Sequence, residues 1–143
     1  MTAYTIDASV HIHSLNENEP GCKKSQAFLA RVERERLEMI CPTLLVTEMA
    51  AALSRAFDDE EKGMAFAMAV RDLPNLTLVS LDDSLAVAAA ELAARHRLRG
   101  ADAVYAAVVK RYQTMLVTND RQQLKRLSGV LPVKQPAQLL AKK

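Results

Sequence analysis

Residues 98–120 read LRGADAVYAAVVKRYQTMLVTND and place one carboxylate at each end of a helix–strand hairpin. Over residues 102–113, Ala103, Ala106, Ala107 and Lys110 recur at the i, i+3, i+4, i+7 spacing of a helical face in an alanine-rich run. At about 1.5 Å per residue this helix runs roughly 18 Å, and the β-prone TMLVT that follows covers about 16 Å as a strand. A tight connection at Tyr112 and Gln113 lays the strand antiparallel to the helix, so the end of the strand returns to where the helix began. Asp102 and Asp120 are therefore expected to be neighbours.

The rest of the chain alternates short strands with helices. Residues 3–6 are β-prone and run into Asp7, a residue suited to cap the next helix. Residues 16–21, NENEPG, make a turn, after which Phe28, Leu29 and Val32 stripe a helix whose charged residues, Arg31 and 33–36, lie largely on a solvated face. Residues 38–41 serve as a second strand. Pro42 breaks the chain before a helix over residues 43–57, with Val46, Met49, Ala50, Leu53 and Phe57 on one face. A further helix starts at residues 58–61, has 64–70 as its apolar body and ends near Pro74. Residues 76–80 are the third strand. Asp82 and Asp83 start the next helix, striped by Leu85, Ala88, Ala89, Leu92 and Ala93, with Gly100 as its stop. Beyond the central hairpin come a helix over residues 120–127 stopped by Gly129, an edge strand over 130–133 containing Pro132, and peripheral last residues. Residues 1–143 thus read as a single α/β domain, a short-stranded parallel sheet flanked by helices on both faces.

Composition narrows the partners. Of 143 residues half are hydrophobic, enough for one real core, and 19 Lys plus Arg against 17 Asp plus Glu leave a net charge of only +2. No apolar run approaches the ~20 residues of a membrane span, and the amino terminus lacks a signal-peptide pattern, so a cytoplasmic protein is expected. Cys22 and Cys41 fit no metal spacing and read as free thiols, Cys41 buried at a strand end. His11 and His13 are two apart and point in different directions on a helix, without a third partner for zinc.

Four acids converge instead. Asp7 follows the first strand, Glu48 lies in the second turn of the helix after the second, and Asp120 follows the fourth; all belong at the carboxyl edge, where open α/β sheets bind ligands. The hairpin brings Asp102 to the same place. Carboxylates within ~4–6 Å of one another repel and raise their own pKa values unless a cation intervenes, and an all-oxygen set suits Mg²⁺ or Mn²⁺ rather than zinc. Taken singly, Asp7 and Asp120 could be helix caps and Asp102 a first-turn acid favoured by the helix dipole. Glu48 resists that explanation, because its helix neighbours Leu44, Leu45, Ala51 and Ala52 offer no basic partner. Tyr105, without an aromatic neighbour at suitable spacing, reads as packing.

In their order, IDAS at residues 6–9, TEMAAAL at 47–53, LRGADAVYAAVV at 98–109 and LVTND at 116–120 resemble a PIN domain, and more narrowly the VapC-type ribonuclease toxins of toxin-antitoxin modules. The likeness spans nearly the whole chain, and the ordered set of motifs carries it. By this resemblance Asp7, Glu48, Asp102 and Asp120 are the catalytic and metal-site acids, Thr118 and Ser9 are supporting polar residues, and Asn119 holds a variable position. It implies a Mg²⁺- or Mn²⁺-dependent endoribonuclease, in which Asp7 and Asp102 hold the ion most directly. It also implies a cognate antitoxin and a homodimer, the latter expected as well from the apolar helices at residues 43–57 and 64–70. Lys23, Lys24, Arg95, Arg97, Lys110, Arg111, Lys125 and Arg126 are basic candidates for RNA, with Arg99 and Arg121 favoured because each stands near a site acid.

Other classes fit less well. An aspartyl phosphotransferase needs a second acid two residues after Asp7, where Ser9 stands, and a receiver-like module needs paired acids before the first helix and a lysine near the last strand, whereas Lys134 lies beyond it. The alternatives that stay open are an inactive PIN scaffold that binds protein or RNA, which the intact acid set opposes, and a nuclease of RNA processing rather than a toxin.

Overall fold

Tyr4–Ile6 (β1), Met39–Pro42 (β2), Leu76–Val79 (β3), Met115–Val117 (β4) and Val133–Lys134 (β5) form one parallel sheet, ordered β3-β2-β1-β4-β5, in the computed structural model, which describes residues 2–140. Tyr4 stands opposite both Met39 and Met115, and Ile6 opposite Val117. Strands covered on both faces must be apolar along their length, and Ile6, Met39, Cys41, Leu116 and Val117 are all buried. The one polar intruder in β1, Thr5, is satisfied by the Ile40 carbonyl at 2.7 Å and the Thr114 hydroxyl at 2.6 Å.

Ala8–Ser14 (α1) and Cys22–Arg34 (α2) join β1 to β2; Leu44–Phe57 (α3) and Glu60–Arg71 (α4) join β2 to β3. Asp83–His96 (α5) and Gly100–Tyr112 (α6) lead to β4, Arg121–Leu127 (α7) to β5, and Pro136–Leu140 (α8) follows. The first two crossovers step outward from β1, whereas the third steps back over β2 and β1 to reach β4. Right-handed crossovers therefore put their helices on opposite faces, and the direction of winding reverses between β1 and β4. Among the described residues no helix is long and apolar enough to cross a membrane.

The central hairpin forms as its lengths require. α6 touches β2, β1 and β4 on one side and α5 on the other, Gln113 turns the chain through a left-handed φ of 55°, and β4 runs back. The expected single stripe on α6 is replaced by burial of its whole circumference from Asp102 to Val109, because Val104, Tyr105, Val108 and Val109 make the opposite face apolar too; Lys110 is exposed. Gly100 does not stop α5. That helix ends at Arg97, which takes the left-handed conformation at φ 56°, and Gly100 opens α6. The last described residues are not peripheral either: α8 packs on α2, burying Pro136 and Leu139, and the Leu139 carbonyl accepts from Arg31 at 3.1 Å. The edge strand sits later than expected, at Val133–Lys134. Both cysteines are free and buried.

The apolar face of α3 is largely used within the chain. Met49 and Leu53 are in the core, joined there by Leu45, and Phe57 stacks on Phe66 of α4 with ring centroids 5.8 Å apart. Met64 is the large hydrophobic side chain that this helix pair leaves exposed. The pair packs closely at Gly63, where an added Cβ would stand 2.7 Å from the Ser54 nitrogen and 2.9 Å from its Cα. In a helix interior, glycine to alanine normally gains up to about 1 kcal/mol. Here the opposing atoms are backbone and cannot swing aside, so Gly63→Ala is expected to lose about 1–3 kcal/mol in urea denaturation; a gain would show that α3 and α4 are further apart.

Candidate functional site

Parallel strands all end on one edge, and the reversal of winding between β1 and β4 opens a crevice there. Asp7 leaves β1 and caps α1: its Oδ2 accepts from the Ser9 backbone N–H at 3.1 Å and from the Thr118 hydroxyl at 3.3 Å. Thr118, leaving β4, accepts in turn from the Asp120 N–H at 3.0 Å. The Ser9 hydroxyl accepts from the Asn119 N–H at 3.0 Å and lies 3.4 Å from the Thr118 hydroxyl. Ser9 and Thr118 thus tie the two strand ends together around Asp7.

Asp120 caps α7 through Oδ1, which accepts from the Gln122 and Gln123 N–H groups at 2.9 and 3.2 Å. Its Oδ2 faces Arg99, whose Nη2 donates at 2.8 Å, while Arg99 Nε donates to Asp102 Oδ2 at 3.1 Å. One guanidinium therefore bridges the two acids that the hairpin brings together. Arg99, favoured from sequence as an RNA contact, is here engaged by carboxylates, while its side chain stays 61% exposed. Arg121, the other favoured contact, is exposed on the first turn of α7.

Glu48 reaches the same edge from α3, its Oε1 accepting from the Tyr105 hydroxyl at 2.8 Å. Tyr105 is packed as expected, but it also carries a polar role that sequence reasoning missed. Gln123 was missed as well: it is buried and donates from Nε2 to Asp102 Oδ1 at 3.2 Å, while its Oε1 has no hydrogen-bond partner among the described residues. Its place three residues after the cap Asp120 is a capping-box position, which is a signal for a polar side chain near the helix start. Asn119 donates from Nδ2 to the Ser25 hydroxyl at 2.8 Å, pinning α2 to the site.

Capping and site roles coexist because a carboxylate has two oxygens. Asp7 commits Oδ2 to the scaffold and Glu48 commits Oε1; Asp7 Oδ1 and Glu48 Oε2 accept nothing among the described residues. Burial raises the Asp7 pKa, and the charges of Asp102 and Asp120 raise it further, against the lowering by Ser9. Burial also raises Asp102, opposed by Arg99. Glu48 is pushed up to about 7 by burial, with Asp7 and Asp102 adding to the rise and Tyr105 opposing it. With the side chains so placed, no three His, Cys, Asp or Glu among the described residues stand at the spacing that would hold one metal ion. Between Asp102 and Asp120 the Arg99 guanidinium takes the bridging place.

The raised Glu48 has a signed consequence. Its carboxyl, ordinarily near 4.5, holds its proton in the folded state up to about 7, so its contribution to stability is full below 4.5 and is lost as pH rises through 7. Glu48 is half-buried, and solvent screening reduces the effect to about 1–2 kcal/mol. With chelator present, lowering the pH from 8 to 5 should favour wild type over Glu48→Gln by that amount, the contribution of the buried His11 cancelling between them. Parallel stability curves for the two proteins would show that Glu48 does not hold its proton.

Several solved structures share the fold. VapBC2 from Rickettsia felis, described bound to a promoter DNA fragment, aligns with a TM-score of 0.68 at 14% identity over 94% of this chain and 98% of its own. VapC20 of Mycobacterium tuberculosis, described as a sarcin–ricin loop cleaving toxin, gives 0.70 at 16% over 87% and 94%, and FitAcB from Neisseria gonorrhoeae 0.69 at 17% over 94% and 98%. No curated protein sequence matches. At these identities the structural likeness is one of fold, but the PIN domain profile matches residues 4–130 of the sequence itself. With that match over most of its length, the chain belongs to the PIN domain family.

Proposed function

We propose that this protein is a Mg²⁺- or Mn²⁺-dependent endoribonuclease and the toxin of a toxin-antitoxin pair. The observation that carries the reading is the gathering of Asp7, Glu48, Asp102 and Asp120 at the crevice between β1 and β4, where burial, reinforced by neighbouring carboxylates, disfavours the charged forms of Asp7, Glu48 and Asp102 and the exposed Arg99 pairs with Asp102 and Asp120. The donor set is all oxygen, and the carboxylate oxygens left without partners suit a hard divalent ion. Asp7 and Asp102 would hold it most directly, with Glu48 and Asp120 turned toward its bound waters, once Arg99 turns outward. When bound, the ion would lower the pKa of a water and offset charge on the phosphate.

This chain's own residues do the rest. Ser9 and Thr118 fix the direction in which Asp7 points, Gln123 fixes Asp102, and the α7 cap fixes Asp120. Tyr105 holds one oxygen of Glu48 and leaves the other to orient the attacking water and take its proton. The toxin assignment rests on the PIN match together with the solved likenesses, several of which are described as VapBC or FitAB complexes. A cognate antitoxin and a homodimer belong to the same reading, and light scattering at micromolar concentration tests the dimer.

Purified, partner-free protein is expected to cleave single-stranded or looped RNA with Mg²⁺ or Mn²⁺ and to stop with excess chelator. Asp7→Asn and Asp102→Asn should each lower the rate by more than about 100-fold, whereas Thr118→Val should cost about 10–100-fold, as loss of an orienting partner does. Cleavage that persists in chelator or in either Asn variant rules out the mechanism. A second readout avoids activity altogether: metal-free Asp102→Asn should melt no lower than wild type, because repulsion is relieved, yet lose most of the stabilisation that added Mn²⁺ gives wild type. A clear drop in its metal-free melting point, with the metal response unchanged, would make Asp102 a structural residue.

A further inference from the structure

Beside the four acids lies a cleft of about 420 Å³ that they do not line. Its walls come from the α1–α2 turn, the start of α2, the β4–α7 corner and the β5–α8 corner, and include His13, Glu19, Lys24, Asn119, Arg121, Gln135 and Pro136, with the Glu19 carboxylate 3.6 Å from His13 Nε2. Asn119 and Arg121 flank Asp120 in the chain, so consecutive Cα atoms about 3.8 Å apart connect the cleft to the site. Neither Lys24 nor Arg121 has an ion-pair partner among the described residues, in contrast to Arg99. Asn119 is held rigidly by Ser25 and Ser9. The His13 Nδ1 is buried without a hydrogen-bond partner among the described residues.

Resting on the nuclease reading above, we propose that this cleft is the subsite for one nucleotide next to the scissile phosphate of a single-stranded RNA. Lys24 and Arg121 take the backbone phosphate, the charge that the acids themselves would repel. The base enters between the His13 ring and Pro136, where the side-chain amides of Asn119 and Gln135 present both donors and acceptors to its edge. The volume lies within the roughly 300–1,000 Å³ of small-ligand sites, and unstacked bases read by aromatic or guanidinium faces and by edge hydrogen bonds are the usual mode for single-stranded RNA.

Fluorescence anisotropy with labelled single-stranded RNA hexamers, in chelator so that no cleavage occurs, tests this. Lys24→Ala and Arg121→Ala are expected to weaken binding about 5–10-fold each and to reduce the salt slope by about 0.7 per lost phosphate contact, with melting points unchanged since both side chains are exposed. Gln135→Ala should alter the ranking among A, C, G and U hexamers and leave the salt slope alone. Free mononucleotides should compete far more weakly than hexamers; equal competition would make the cleft a free-nucleotide site and overturn the proposal. Wild-type protein that cleaves RNA with Mn²⁺ while the Lys24 and Arg121 variants bind like wild type overturns the subsite and spares the nuclease reading. Wild-type protein that neither binds nor cleaves overturns both.

Discussion

Burial of Asp7, Glu48 and Asp102 in one crevice beside Asp120 is the constraint that the surrounding structure answers, because carboxyls taken out of water, and set near other carboxylates, are harder to ionise. The response is distributed. Two of the acids cap helices, so part of their charge faces a positive helix end; a third accepts from the buried Tyr105; and Arg99 spans the remaining gap. None of this removes the strain, since Asp7, Glu48 and Asp102 all remain harder to ionise than an ordinary carboxyl. Strained groups of this kind are where folds give up some stability for a site, which is the sense of the nuclease reading proposed above.

The topology explains why the acids meet although they are as much as 113 positions apart in the sequence, from Asp7 to Asp120. β1 and β4 are adjacent and parallel, so residues that follow them emerge side by side, and α6 carries Asp102 back to the same edge. This part was legible because it depends on periodicity, length and strand direction, which a sequence displays. The hairpin at residues 98–120 needed only the rise per residue of a helix and a strand.

Other features were hidden for specific reasons. An uninterrupted run with no charged residue from Ala103 to Val109 implied burial all round, but the small alanines drew attention to one face. Gly100 looked like a helix stop on propensity, whereas Arg97 accepts the left-handed turn and nothing stands within 4 Å of a Cβ built on Gly100. The proline-led PAQLL of α8 had a helix-start signal at Pro136, yet its value lies in docking on α2, which no local pattern announces. Arg99, Tyr105 and Gln123 act across elements, through partners 21 to 57 positions away, and single-sequence patterns carry no such pairings. The cleft beside Asp120 is likewise made from separate corners of the fold.

Burial of α6 on every side has a dynamic consequence. A helix packed between sheet and α5 has no room to slide, so Asp102 is held at a fixed place, and Asp7 and Asp120 are fixed by their caps. The mobile member of the group is the exposed side chain of Arg99. On the metal-dependent reading proposed above, exchange of its guanidinium for a divalent ion would require only rotation about side-chain bonds, motion on the picosecond-to-nanosecond scale, and no slower movement of a domain or loop. The counter-charge at such a site would then change by side-chain rotation alone, while the capped helices go on aiming the carboxylates.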